Sequence, residues 1–275
     1  MSATAADLRW DALLDGRVAL ITGAGSGQGR AAAQLFAAHG ARIAVIDMNA
    51  QGADETVELV TNQGGSAIAI HADVSRRPDV DRMVAETAQA LGAIHVLYNN
   101  AAVQMSGRVV ECTEEQWDLT IATNLTAIFT ACRAAIPVML GCGGGSIINT
   151  ASSLGLMGSE GYAAYGAAKA GLIALTKQIA SEYGPTIRAN VIAPGSIDTP
   201  RFRKVADRLP DTQAYLSRVI QMNPMKRLGI AEDIAAVALF LASDASAYVS
   251  GTVVPVDGGT AVYRRAGAST GRLPW

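Results

Sequence analysis

Cysteine and histidine are scarce in this chain, and they lie far apart. The 275 residues contain three cysteines, with no C-x-x-C pair, and three histidines, with no H-E-x-x-H pattern. An odd number of scattered cysteines excludes a disulfide framework and is typical of reduced, intracellular thiols. The same scarcity leaves no set of ligands for a zinc ion. We therefore expect a cytoplasmic protein that holds no metal.

Long hydrophobic runs and a strong charge of one sign are missing as well. The formal net charge is −2, which indicates neither nucleic acid nor an anionic membrane as a partner. No basic segment followed by an apolar one opens the chain, so we expect no signal peptide. No apolar run approaches the roughly 20 residues that span a bilayer. Residues 141–146 are rich in glycine but lack the G-K-[ST] ending of a phosphate-binding P-loop.

Apolar sequence is plentiful, and it alternates regularly. Half of the residues are hydrophobic and 28 are glycine, which is typical of a globular protein with a large core. Short Val- and Ile-rich runs, which suit strands buried on both faces, occupy residues 18–22, 42–47, 67–72, 95–99, 145–150, 187–193 and 252–256. Longer stretches with helical spacing lie between them, at residues 30–39, 78–91, 114–139, 162–183 and 231–242.

This alternation predicts the fold class and the domain organisation. We expect an α/β fold, with seven parallel strands in a doubly wound, Rossmann-type sheet and helices on both faces. No linker or composition break divides the chain, so residues 1–262 are predicted to form a single domain. Residues 198–226 are charged and break the regular alternation of strands and helices between the last two predicted strands. Residues 263–275 form a polar tail with three arginines, which we expect to reach a neighbouring subunit.

A glycine-rich turn follows the first predicted strand and opens the first predicted helix. Its spacing is T-G-x-x-x-G-x-G, formed by Thr22, Gly23, Gly27 and Gly29, and the common G-x-G-x-x-G spacing is not met. Glycines here let the backbone turn tightly and approach a pyrophosphate at the positive end of a helix. The position between strand and helix favours a dinucleotide site over the alternative of a tight turn alone.

Asp47 ends the second predicted strand, 18 residues past Gly29. A carboxylate at this position accepts hydrogen bonds from both ribose hydroxyls of the adenosine half and repels a 2′-phosphate. No lysine or arginine precedes Gly29 in the loop, and Met48 follows Asp47 directly. The pattern favours NAD over NADP. Arg30 is the counter-argument, because a long cationic side chain there can reach the ribose edge, and Asp47 can also be read as an acidic turn residue.

Tyr165 and Lys169 stand four residues apart in a predicted helix, so they project from one face. One ammonium about 4 Å from a phenol contributes ~4 kcal/mol at an effective dielectric of about 20, which brings the pKa of a phenol close to neutral pH. We therefore expect Lys169 to lower the pKa of Tyr165, which then exchanges a proton with an alcohol or a carbonyl. Ser152, thirteen residues before Tyr165, holds the same oxygen. Ser153 competes for this role, but the spacing favours Ser152.

An isolated Y-x-x-x-K pair is usually a surface tyrosine and a solvated lysine, so the surrounding motifs carry the interpretation. Further motifs follow the third, fourth and sixth predicted strands and stand inside a long predicted helix, and they are Asp73-Val74, Asn99-Asn100-Ala101-Ala102, Pro194-Gly195-Ser196-Ile197-Asp198-Thr199 and Asn124. Together with the glycine turn and the Ser-Tyr-Lys set, they resemble the short-chain dehydrogenase/reductase family, and within it the 3-oxoacyl-acyl-carrier-protein reductases. The resemblance covers roughly residues 14–260.

The resemblance implies an NAD-dependent enzyme that interconverts a secondary alcohol and its ketone by hydride transfer. Its implied catalytic residues are Asn124, Ser152, Tyr165 and Lys169, with Asn124 anchoring a water that relays the proton from Lys169. Its implied cofactor-binding residues are Gly23, Ser26, Gly27, Gln28, Gly29, Asp47, Met48, Asp73, Val74, Asn99, Ala101, Tyr165, Lys169, Pro194, Gly195, Ile197 and Thr199. It also implies a homotetramer in which the helices at 114–139 and 162–183 pair across an interface.

The sequence defines the substrate less closely than it defines the cofactor. The resemblance makes residues 198–226 a lid over the substrate, and the expected pocket walls are Leu154, Met157, Tyr162 and Phe202. The cations of the lid, which are Arg201, Arg203, Lys204 and Arg208, either recognise an acidic substrate or are simply solvated. The walls suit a moderately apolar alcohol or ketone, including a cyclic one.

Several alternatives remain open at this stage. A protein that binds NAD without turnover, or an epimerase or dehydratase on the same fold, would share most of these motifs. Asn124 can be a polar residue that bends a helix, Asp73 a strand-end cap and Thr199 a turn residue. The chain also departs from the family pattern twice, because Ala102 replaces the usual glycine of N-N-A-G and Gln28 replaces an apolar residue of the turn.

Overall fold

Seven parallel strands form the central sheet of residues 8–262, which are the residues that the computed structural model describes. The strands are β1 (Val18–Thr22), β2 (Arg42–Asp47), β3 (Ser66–His71), β4 (Val96–Asn99), β5 (Gly145–Thr150), β6 (Ile187–Pro194) and β7 (Val253–Val256). Their order in the sheet is β3-β2-β1-β4-β5-β6-β7. The order reverses between β1 and β4, where a doubly wound sheet opens a crevice at the carboxyl ends of its strands. The predicted seven-stranded fold is confirmed.

Nine helices of the described residues connect and cover the strands. They are α1 (Gly27–Ala38), α2 (Ala50–Asn62), α3 (Arg77–Leu91), α4 (Glu114–Ile121), α5 (Ala127–Gly141), α6 (Ala163–Tyr183), α7 (Pro200–Ala206), α8 (Thr212–Met222) and α9 (Ala231–Ala242). One face of the sheet packs against α3, α5 and α6, and the other against α1, α2 and α9. Alternate residues of β1 enter the two cores, with Val18 and Leu20 in the first and Ala19 and Ile21 in the second. Burial on both faces explains why the strands are continuously apolar.

Helix α2 was absent from the helices that the sequence pattern predicted. Its buried residues are small or only weakly apolar, namely Gly52, Ala53, Thr56 and Val60. A Cβ on Gly52 would lie 2.9 Å from the carbonyl oxygen of Gly25. The helix packs against the glycine turn through these residues, whose separations of three and four positions are those of one helix face, so the sequence did carry a signal for α2.

The helix predicted at 114–139 is two helices joined by a π-helical turn over Ala122–Thr126. The run Glu114–Gly141 is long enough to cross a membrane, and its most apolar 18-residue window has a mean hydropathy of 1.4. However, 56% of its most apolar window is buried inside the molecule, where Ile128, Ala135 and Met139 join the core. The run is typical of a core helix. The tail at 263–275 lies outside the described residues.

Candidate active site

The glycine turn joins the end of β1 to the start of α1. Gly23 and Gly27 have φ values of +66° and +53°, which L side chains rarely adopt. A Cβ on Gly29 would overlap the carbonyl oxygen of Gly23. Within the described part of the chain, the Ser26 side chain caps no amide of α1. The first turn of α1 therefore presents uncapped amides beside glycines that leave the backbone open to close approach, which fits a pyrophosphate.

Asn100, which the sequence did not single out, holds this turn against the end of β4. Its side-chain amide donates to the carbonyl oxygens of Thr22 at 3.0 Å and Gly23 at 3.2 Å. In return, the Thr22 hydroxyl accepts from the backbone N–H groups of Asn100 at 3.0 Å and Ala101 at 3.1 Å. The second asparagine of the N-N-A motif was the available signal.

The side chain of Asn99 bonds within the fold. It is buried and donates to Asn149 Oδ1 at 2.8 Å, and Asn149 in turn donates to Thr176 Oγ1 at 2.9 Å. This chain links β4, β5 and α6 beneath the site. A void of about 10 Å³, the size of one water molecule, borders Asn99, Ala101 and Val74. The role of these residues in a cofactor channel stays a prediction.

Asp47 ends β2 and Arg30 lies in α1. Their side chains turn toward different partners. The Asp47 carboxylate accepts from the backbone N–H groups of Gly25 and Asn49, each at 2.9 Å. Arg30 turns instead toward α2, where it donates to the hydroxyl of Thr56 and to the carboxylate of Glu55, each at 2.9 Å. It also donates to the carbonyl oxygen of Gly25. With a further bond to the carbonyl oxygen of Gly52 at 3.2 Å, Arg30 is held in place by four partners. Met48 is exposed beside Asp47.

Two further predicted cofactor residues organise turns. The Asp73 carboxylate accepts from the backbone N–H of Ser75 at 2.9 Å and from its hydroxyl at 2.7 Å. Thr199 caps α7, because its hydroxyl accepts from the backbone N–H of Phe202 at 3.2 Å. The Thr199 methyl lies 3.5 Å from where a Cβ on Gly27 would stand. The start of the lid (residues 198–226) therefore lies over the glycine turn.

The remaining predicted cofactor residues line the same edge of the sheet. Pro194 ends β6, and a Cβ on Gly195 would stand 2.8 Å from the Cα of Asp257. Ile197 forms an isolated bridge with Gly229. Gln28 lies in the first turn of α1. These positions bring the predicted set together along the carboxyl ends of β1, β4 and β6.

Ser152, Tyr165 and Lys169 meet at the centre of this edge. Ser152 follows β5, and the other two lie in the first two turns of α6. Tyr165 is 5% exposed and Lys169 is 1% exposed. The Lys169 ammonium donates to the carbonyl oxygen of Thr150 at 2.7 Å and lies 5.6 Å from the centre of the Tyr165 ring. Tyr165 is hydrogen-bonded to Ser152.

The ionisation of this cluster differs from the sequence expectation. Burial raises the pKa of the Tyr165 phenol, against the smaller opposing effects of the Arg201 charge and the Ser152 hydrogen bond. Burial, followed by the Arg201 charge, lowers the pKa of Lys169 to about 7. The expectation that Lys169 lowers the pKa of Tyr165 was wrong for this structure, because desolvation penalises both charged forms.

Asn124 lies in the π-helical turn and is fully buried. Its side chain donates to the carbonyl oxygen of Val103 at 2.8 Å and accepts from the backbone N–H of Val103 at 3.1 Å. The side chain therefore fastens the segment after β4 to the long helical run. Its predicted role in holding a water molecule stays a prediction.

The lid adds aromatic and cationic groups above the cluster. Phe202 and Tyr215 pack with ring centres 6.0 Å apart, and Tyr162 contacts the Tyr165 ring edge-on at 6.5 Å. Tyr215, from α8, was not among the predicted pocket residues. Leu154 is half-buried and Met157 exposed on the segment after Ser152. Arg201 donates to the carbonyl oxygen of Ala102 at 2.9 Å, so the lid contacts the segment after β4.

Comparisons with known proteins agree with this geometry. The family model described as enoyl-(acyl carrier protein) reductase matches residues 23–261. A 3-oxoacyl-[acyl-carrier-protein] reductase of Thermotoga maritima is 38% identical over 250 residues, which are 90% of this chain and 99% of that protein. Levodione reductase of Leifsonia aquatica is 39% identical over 249 residues, or 88% of this chain and 93% of that protein.

The solved structures show the same likeness in three dimensions. A short-chain type dehydrogenase/reductase from Mycobacterium marinum superposes with a TM-score of 0.84 at 32% identity, covering 90% of this chain and 96% of that chain. With the family model and the relatives matching nearly the whole chain, this protein belongs to the short-chain dehydrogenase/reductase family of oxidoreductases and is similar to its 3-oxoacyl-acyl-carrier-protein reductases.

Proposed function

We propose that this protein interconverts a secondary alcohol and its ketone with NAD as the hydride carrier. One observation carries the proposal. The side chains of Ser152, Tyr165 and Lys169 form a buried cluster beside a glycine turn whose shape fits a dinucleotide. A nicotinamide cofactor bound at the glycine turn would supply the hydride chemistry. The protein's own task is to hold the substrate oxygen and to move its proton.

The three side chains divide that task. Ser152 and Tyr165 hydrogen-bond the substrate oxygen, and the phenol passes a proton to a ketone or takes one from an alcohol. Taking a proton requires phenolate, which burial disfavours, so nearby positive charge has to offset the raised pKa of Tyr165. Lys169, whose pKa is about 7, gains and releases a proton at neutral pH and is suited to pass it onward.

The preference for NAD rests on Asp47 and Arg30. Asp47 places a carboxylate at the end of β2, where a 2′-phosphate would be repelled. Arg30 was the argument for NADP, but its guanidinium is occupied by Glu55, Thr56 and the Gly25 carbonyl. Arg30 therefore turns its guanidinium toward partners within the protein and away from a 2′-phosphate beside Asp47.

We further infer a cytoplasmic homotetramer that acts on a small molecule. The free thiols of Cys112, Cys132 and Cys142 support a reducing compartment. Exposed apolar side chains on α4 and α5, including Trp117 and Phe129, support association with further copies.

The test is NADH formation with a panel of secondary alcohols, run in parallel with NADP. We expect activity with NAD, a higher kcat/KM for NAD than for NADP, and a loss of roughly 10²-fold or more in Tyr165→Phe, because proton transfer would lose its donor. Tyr248→Phe is the matched control, since Tyr248 is fully exposed. An unchanged rate in Tyr165→Phe would refute the mechanism. Binding of NAD without turnover of any alcohol would favour a non-catalytic NAD-binding protein. Conversion of a substrate without net formation of NADH would favour an epimerase or a dehydratase.

A further inference from the structure

We propose that Arg201 binds a carboxylate of the substrate, so that the favoured substrates are hydroxy acids and keto acids with an apolar, ring-sized body. This inference rests on the proposed oxidoreductase function, and it names the substrate class of the same site. It assigns a specificity role to a lid residue outside the Ser-Tyr-Lys set.

The guanidinium of Arg201 lies where the lid meets the sheet edge. Arg201 is the second residue of α7, directly after the Thr199 cap that lies over the glycine turn. Its Nη1 reaches the carbonyl oxygen of Ala102, 99 positions earlier in the chain. Ala102 precedes Val103, which Asn124 fastens to the helical run. One end of the guanidinium is thus fixed to a rigid wall of the cleft.

The rest of the guanidinium is available to a ligand. A guanidinium carries five N–H donors in a planar fork, and across residues 8–262 only Nη1 of Arg201 has a protein acceptor. No carboxylate of those residues forms an ion pair with it, whereas Arg203, two positions further on, pairs with Asp198. A planar fork with free donors is the arrangement that binds a carboxylate.

The charge of Arg201 also acts on the reacting groups. It lowers the pKa of both Tyr165 and Lys169, whose side chains would hold the substrate oxygen and move its proton. Among the residues that the structure describes, Asp198 of the lid is paired with Arg203 and not with Arg201. The cleft therefore presents an uncompensated positive charge, which favours an anion over a neutral substrate.

The aromatic side chains around Arg201 define the rest of the ligand. Phe202 follows Arg201 in α7 and packs against Tyr215 of α8, while Tyr162 stands beside Tyr165. Burial raises the pKa of Tyr215, and Tyr162 adds a smaller effect in the same direction. Rings of this kind bury an apolar body, and the guanidinium fixes the direction of its charged end.

The decisive experiment measures binding, so it does not depend on turnover. Benzoate and benzamide are titrated by calorimetry into the protein saturated with NADH. We expect benzoate to bind roughly tenfold more tightly than benzamide, and Arg201→Met to remove about that factor for benzoate alone, as for a hydrogen bond to a charged group. Arg201→Lys should restore part of it. Lys204→Met is the control, since it removes one exposed positive charge from the same helix.

A second arm compares kcat/KM for 3-hydroxycyclohexanecarboxylate and its carboxamide in the same variants. We expect Arg201→Met to reduce the ratio of kcat/KM for the acid to kcat/KM for the carboxamide by roughly tenfold, a ratio from which any effect on Tyr165 and Lys169 that is common to both substrates cancels. Equal binding of benzoate and benzamide, binding of neither, or an equal loss of both in Arg201→Met would overturn the role of Arg201. Absence of NADH formation with every alcohol would refute the proposed function instead, while the binding arm would still decide the role of Arg201.

Discussion

At the scale of single residues, Lys169 is the side chain whose state depends most on its surroundings. It is nearly without solvent exposure, and its ammonium donates to the Thr150 carbonyl oxygen at 2.7 Å. A lone carbonyl compensates only part of the lost hydration, so the charged form is penalised. The guanidinium of Arg201 adds repulsion. The neutral amine is therefore accessible near neutral pH.

The protonation of Lys169 can be observed directly by following its side chain by NMR across pH. In the protein without cofactor, we expect a midpoint at about 7, with the ammonium below and the amine above it, because burial makes the proton leave at a lower pH. Arg201→Met removes one of the two causes and should raise the midpoint. Loss of the signal in Lys169→Met assigns it. A midpoint near that of a free lysine, about 10.4, would contradict the desolvated state.

At the scale of elements, the shape of the junction between β1 and α1 depends both on its glycine residues and on the packing around them. Two glycines there adopt positive φ, and Gly29 leaves no room for a Cβ beneath the Gly23 carbonyl. Asn100 then ties the turn to β4 through two carbonyl oxygens. The turn is therefore held in one shape before any cofactor arrives, which reduces the entropy lost on binding.

Gly29→Ala tests this junction. We expect NADH affinity, measured by fluorescence titration, to fall by roughly tenfold or more, because the added methyl displaces the Gly23 carbonyl and the turn with it. Gly141→Ala, at the end of α5, is the matched control, since a Cβ there meets nothing within 4 Å. Equal affinities in the two variants would show that the turn adapts and that its shape does not control binding.

At the scale of the whole molecule, the run Glu114–Gly141 has two different sides. One side packs against the sheet, while Trp117 and Phe129 are 44% and 50% exposed on the other. A cavity of about 420 Å³, lined by Val109, Cys112, Thr113, Glu114, Trp117, Asp118 and Ala163, opens between the starts of α4 and α6. Those are the two helical regions that the predicted tetramer pairs.

Analytical ultracentrifugation measures the native mass and so tests the predicted tetramer. We expect a native mass close to four times the 28.4 kDa of the chain, and a shift to smaller species in Phe129→Lys, because a charge would enter a desolvated apolar contact. Leu59→Lys changes a partly exposed leucine of α2, away from the proposed interface, and should leave the mass unchanged. A monomer in the wild type would remove the tetramer from the proposal.

The sequence by itself located the strands and placed the predicted catalytic residues Tyr165 and Lys169 on one helix face, because both inferences depend on near neighbours along the chain. Continuous apolar runs located every strand to within a residue or two, and the four-residue spacing of Tyr165 and Lys169 was enough to place them on one helix face. Helix α2 was missed although its buried residues have helical spacing, and the predicted helix at 114–139 did not include the π-helical turn at Ala122–Thr126.

Tertiary structure alone decided the electrostatics of the site. The sequence could not tell that Arg30 turns toward α2, that Asn100 holds the glycine turn, or that Arg201 reaches Ala102. It also suggested the wrong direction for the pKa of Tyr165. Hydrogen bonds and Coulomb interactions depend on distances between segments far apart in the chain, and desolvation depends on everything packed around a group. Those quantities exist only once the chain has folded.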